Sequence, residues 1–129
     1  MFEQRRKAVS DAIFDILTEN VPEVTWTKLF KGFQRGKGVV GSVVSDSVAF
    51  EYDAKNQLVA TAKYIVIIAD SENIDTVDDI ADTVFELLDS DDLNGTATVG
   101  DVKRITYAAA PNKEDAGAVL IEYEVKYYV

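Results

Sequence analysis

The stretch Leu58 to Ala69, LVATAKYIVIIA, sets the strictest condition on how this chain folds. Its β-branched and aromatic residues favour a strand. From Tyr64 onward it is apolar at consecutive positions, and successive side chains of a strand point to opposite faces. Neither face of that half can stand in water. The strand is therefore expected at the centre of a sheet, with a helix covering one face. Upstream, Ser47 to Tyr52 reads as its antiparallel neighbour, joined through the turn Asp53-Ala54-Lys55-Asn56.

Two segments supply the helices. From Phe2 to about Asn20, Val9, Ala12, Ile13, Ile16 and Leu17 recur at three- and four-residue steps, with Asp11, Asp15 and Glu19 on the other side. Pro22 closes this helix. From Ile74 to about Leu88 the stripe is Val77, Ile80, Ala81, Val84, Leu87 and Leu88. Opposite it stand Asp75, Asp78, Asp79, Asp82 and Glu86. Asp75, Thr76, Asp78 and Asp79 crowd the first turn, where they can cap free N–H groups and oppose the helix dipole.

The remaining segments are strands and turns. Val24 to Phe30 suits a short strand, and Val102 to Ala109 another. A loop, APNKEDAG, leads from the latter to Ala118–Val129, where Val119, Ile121, Tyr123, Val125, Tyr127 and Val129 alternate with Glu122, Glu124 and Lys126. Between about 31 and 45 lie Gly32, Gly36, Gly38 and Gly41 among basic residues, which reads as a long flexible loop whose tail, Val39 to Val44, adds a strand edge. The order α-β-(loop)-β-β-α-β-β gives a single α+β domain. Its sheet is mixed and mainly antiparallel, of four to five strands, with two helices packed on one face.

With 129 residues, 47% of them apolar and 28% charged, the chain has the makings of one folded core. Its most apolar run, Tyr64 to Ala69, is far short of the roughly 20 residues of a membrane span. No uninterrupted apolar segment follows the basic residues near the N-terminus, so no signal peptide is expected and the chain should remain in the cytoplasm. There is no cysteine and no histidine, which excludes disulfides, Cys/His zinc sites, thiol nucleophiles and imidazole bases. Ten of the 23 acidic residues fall between Asp70 and Asp92, a segment without one basic residue, so the net charge of −10 is concentrated there. Lys28, Lys31, Arg35 and Lys37 form the opposite patch. A globally acidic chain is poorly suited to wrapping nucleic acid.

Three motifs compete with structural readings. Gly36 to Gly41, GKGVVG, matches G-x-G-x-x-G, but KGFQR precedes it and the strand-like SVVSDSVAFEY follows. A dinucleotide loop needs a strand before and a helix after, so that the pyrophosphate rests on the helix N-terminus. No cofactor is expected. Ser90 to Asp101, SDDLNGTATVGD, faintly resembles a calcium loop, yet it begins on Ser and ends on Asp, with a strand pattern after it, and no metal is expected. The helical carboxylates lie opposite the buried stripe, and a catalytic pair needs a cleft that separates their pKa values. Tyr107, Tyr123, Tyr127 and Tyr128 read as cross-strand packing or as a subunit contact. No catalytic residue emerges.

In layout the chain resembles the tail terminator (tail completion) proteins of long-tailed bacteriophages and related phage-tail-like particles. The resemblance covers nearly the full length and rests on no signature motif. It is carried by the opening helix FEQRRKAVSDAIFDIL, the strand end KYIVIIAD, the acidic helix NIDTVDDIADTVFELLDSDDLNG, and the terminal pair DVKRITYAAA and AVLIEYEVKYY. It implies a non-enzymatic virion protein, assembled in the host cytoplasm and located at the tail end or neck. Such a protein forms a homo-hexameric ring on the last ring of the tail tube protein, stops tube polymerisation and meets a head-tail connector or collar protein. It implies no sequence-specific nucleic acid and no membrane as partner. Other phage neck and minor capsid proteins, such as a head-tail connector, share much of the layout, and a small ligand-binding or enzymatic α+β domain is a further alternative. Within this reading the interaction residues are basic Lys28, Lys31, Arg35 and Lys37, and acidic Asp75, Asp78, Asp79, Asp82 and Glu86. Opposite patches on one protomer suit a head-to-tail contact that closes into a ring.

Overall fold

The doubly apolar strand does take the central place. In the computed structural model, which describes residues 2–27, 38–70, 74–89, 93, 99–109 and 117–129, it is the third of five strands. The elements are α1 (Phe2–Asn20), β1 (Thr25–Thr27), β2 (Val39–Tyr52), β3 (Leu58–Asp70), α2 (Ile74–Leu88), β4 (Val99–Ala109) and β5 (Gly117–Tyr128). They build one sheet in the order β1-β2-β3-β5-β4. β1 runs parallel to β2, and the other neighbouring pairs are antiparallel. The α+β class and the mixed, mainly antiparallel sheet are as the sequence suggests.

Alternation along β3 and β5 decides which face is covered. Ala60, Ala62, Tyr64, Val66 and Ile68 of β3 are buried, in register with Tyr127, Val125, Tyr123, Ile121 and Val119 of β5. Val9, Ile13 and Leu17 of α1, with Val77, Val84 and Leu88 of α2, complete the same cluster at 0% exposure. Each such side chain contributes about 2 kcal/mol by leaving water. A second, smaller cluster of Val40, Ala69 and Ala118, with Leu120 against it, lies on the other face of the sheet. This is why the C-terminal half of β3 is apolar on both sides.

One boundary needs correction. The tail from Val39, expected as a strand edge, is the start of β2 and pairs with Asp70 of β3, so residues 39–45 are strand rather than part of the loop placed at about 31–45. Valines at 39, 40 and 43 bury against neighbours on both sides of the strand, and this outweighs the weak strand preference of the glycine and serine between them. The initial strand is described only over Thr25–Thr27, and Lys28 to Gly36 and Lys37 lie outside the described residues. β1 runs parallel to β2, the one parallel pair among the described strands.

The third glycine of GKGVVG has a packing role. The Trp26 ring lies on Gly41, where an added Cβ would come within 2.5 Å of ring carbon Cζ3 and 2.9 Å of Val24 Cγ1. The indole N–H donates to the Val21 carbonyl at 3.0 Å, which fixes the ring against the end of α1. Gly38 has φ +67, a left-handed conformation that favours glycine at the entry to β2. The β2–β3 turn is closed by Asp53, whose Oδ1 accepts from the amides of Lys55 and Gln57, both at 2.9 Å. Asn56 takes the left-handed place at φ 62.

Candidate functional site

The acidic set of α2 is an exposed helix face. Asp75, Asp78, Asp79, Asp82 and Glu86 are all exposed, while Val77, Ile80, Ala81, Val84 and Leu88 are buried beneath them. The helix is fixed to the sheet at its C-terminal end. The Tyr123 hydroxyl donates to the Leu88 carbonyl at 2.8 Å, with its ring passing over Gly100, where no Cβ would fit. Asp89 Oδ1 accepts from the Val102 amide at 3.0 Å, beside a bulge in β4. Along its exposed side, α2 also reaches β4, because the Tyr107 hydroxyl hydrogen-bonds Asp78. That bond raises the Tyr107 pKa first, with desolvation and the charges of Asp78 and Asp82 adding to it.

The basic set cannot be placed in the same way. Lys28, Lys31, Arg35 and Lys37 all lie outside the described residues, as does most of the calcium-like stretch from Ser90 to Asp101. Among the described residues no group of three or more Asp or Glu side chains is arranged to hold a metal ion. No described helix is long and apolar enough to cross a membrane. The four tyrosines are divided between two roles. Tyr123 and Tyr127 are buried under the helices, whereas Tyr107 and Tyr128 are 60% and 44% exposed.

Sequence reasoning missed the charged centre of the helix-free face. β2 has a bulge between Ser45 and Ser47, and β4 has one between Val102 and Arg104. Both flank the row in which Tyr64 pairs with Tyr123. Between them opens a cavity of about 260 Å³ lined by Asp46, Lys63, Lys103, Arg104, Glu122 and Glu124. Three acids face three bases, so the hollow carries no net charge with which to select a charged ligand. Arg104 Nε stands 3.7 Å from Glu122 and Lys103 Nζ 3.9 Å from Asp101, with all four side chains at least 42% exposed. Exposed pairs of this length contribute little to stability. The adjacent Lys103-Arg104, which break the two-residue alternation of a strand, were the only sequence signal of the bulge.

Under the helices lie two hydroxyls without a partner among the described residues, those of Tyr64 and Tyr127. Burial pushes the Tyr64 pKa up to about 12, and Tyr127 nearby adds to the rise while Arg6 opposes it. Burial also raises Tyr127, again against Arg6. An acid/base role at neutral pH would need these pKa values to move the other way.

No family model matches the chain, and no curated protein matches it in sequence. Solved structures do share its fold. A chain from the virion of a native gene transfer agent particle superposes with a TM-score of 0.72 at 15% identity, covering 93% of this chain and 94% of that one. A second solved chain, also 15% identical, superposes with a TM-score of 0.50 over 100% of this chain and 98% of its own length. At such identity the fold is what is shared, over essentially the whole length of both partners.

Proposed function

We propose that this chain is a structural subunit of a phage-like particle that caps the end of a tail tube. In this reading it stops tube polymerisation and presents the head-proximal surface as a hexameric ring. The observation that carries the proposal is the end-to-end fold match to a chain of a gene transfer agent virion. The chemistry of the chain agrees with it. The exposed carboxylates of α2 face solvent rather than a cleft, and the sequence has no histidine or cysteine. Lys31, Arg35 and Lys37 are assigned to gripping an acidic partner, either a neighbouring subunit or the tail tube. The α2 carboxylates supply the complementary surface.

Negative-stain microscopy of the purified chain, with its mass measured in solution, tests this reading. A six-membered ring with a central hole is expected, and a compact monomer at all concentrations contradicts it. Changing Lys31, Arg35 and Lys37 together to Glu is expected to weaken ring or tube association at least tenfold. Unchanged association removes these residues from the interface.

A further inference from the structure

Among the described residues, the sheet has two long open edges. Among the described residues, β1 pairs only with Val40, Gly41 and Ser42, which leaves β2 from Val43 to Tyr52 without a strand on its outer side. β4 ends the sheet on the other side along all of Val99–Ala109. An ordinary strand is about 5 to 6 residues long, and both open edges exceed that. Exposed edges of such length are templates for pairing with another chain.

Strand direction restricts what each edge can accept. β2, β3, β5 and β4 alternate strictly, so β2 and β4 point in opposite directions. In a ring every subunit has the same orientation about the axis. The β4 of one copy therefore meets the β2 of the next in antiparallel sense, and the alternation continues across the junction. An odd number of antiparallel strands between the edges would have broken it.

Charge restricts the choice further. β2 carries Asp46 and Glu51 with no basic residue, and both acids are exposed. Neither makes an ion pair among the described residues. β4 carries Lys103 and Arg104 at its bulge, both exposed, together with one acid, Asp101, so the strand is net basic by one charge, and among the described residues the two bases make only the long pairs to Asp101 and Glu122. Pairing β2 with β2 sets acids against acids, and pairing β4 with β4 brings together two strands that are both net basic. Pairing β4 with β2 sets opposite charges together.

We infer that the subunits join edge to edge, the Val43–Tyr52 edge of β2 in one copy pairing antiparallel with β4 of its neighbour, which brings the edge that carries Asp46 and Glu51 against the edge that carries Lys103 and Arg104. This deepens the ring reading and rests on it. The contact is heterologous, so it leads to a ring and not to a two-fold dimer.

The test uses two full-length variants. One carries Asp46→Lys and Glu51→Lys, which makes both edges basic. The other carries Lys103→Glu and Arg104→Glu, which makes both edges acidic. Each alone is expected to shift from ring mass to monomer mass by light scattering, with its circular dichroism unchanged. An equimolar mixture is expected to recover the ring mass, because alternating copies restore opposite charges at every junction and six is an even number. Hydrogen exchange of the wild-type ring is expected to show slow amides along 44–52 and 99–109. A ring that survives either double reversal, a mixture that stays monomeric, or fast exchange at both edges overturns the edge pairing and leaves the ring reading standing. A wild-type chain that is monomeric at all concentrations overturns both.

Discussion

At Gly41 the packing of a single residue decides whether a glycine-rich motif has a structural or a chemical meaning. The Trp26 ring and Val24 occupy the space of a Cβ there. Gly41→Ala is expected to lower unfolding stability by about 1 to 3 kcal/mol, since forced overpacking moves ring or backbone. Urea denaturation measures it, and an unchanged midpoint would show that Trp26 swings aside freely. Tyr64 makes a different prediction. Its pKa is raised from 10.0 to about 12 in the folded chain. The folded state therefore holds the proton more tightly, and the stability linked to this group is complete below pH 10. It is lost as pH rises from about 10 to 12, by on the order of 2 kcal/mol. Tyr64→Phe removes an unpartnered buried hydroxyl. At pH 7 it is expected to leave stability unchanged or raise it by up to about 1 kcal/mol. Between pH 10 and 12 its stability should fall less steeply than that of the wild type. Equal slopes for the two proteins contradict the assignment.

Among the elements, α2 depends on two bonds at its C-terminal end, from Tyr123 to the Leu88 carbonyl and from the Val102 amide to Asp89. Asp89→Ala is expected to cost about 1 to 2 kcal/mol and Tyr123→Phe about 1 kcal/mol. The two effects are expected to be non-additive in a double-mutant cycle, because Leu88 and Asp89 are adjacent and Val102 pairs with Tyr123. A coupling below about 0.5 kcal/mol would show that the two bonds act independently. Elements with a strong local period were legible in the sequence. The stripe from Val77 to Leu88 gave both the burial of α2 and the exposure of its five acids, and the doubly apolar end of β3 gave its central place. Features set by distant partners were not legible. The start of β2 depends on Trp26 covering Gly41 and on Asp70 opposite Val39. The open edge at β4 depends on β5 inserting between β3 and β4, a pairing that no local pattern encodes. Of the proposed interaction residues, the exposure of the α2 acids could be anticipated because it follows from the stripe. Asp46 and Lys103 could not, because a bulge shows itself only against the partner strand.

On the scale of the whole molecule, one face of the sheet is closed by two helices and the other presents an apolar end and a charged centre. The acidic helix and the two oppositely charged edges lie on different sides of this body, a distribution suited to contacts with several neighbours at once. The central claim is that these contacts end a growing tube. The most direct measurement is the length distribution of tails assembled in cells that lack this chain, recorded by electron microscopy. The account predicts overlong tubes of variable length, restored to a single length when the chain is supplied. Tails of normal length that fail to join heads would contradict it and assign the chain to the connector instead.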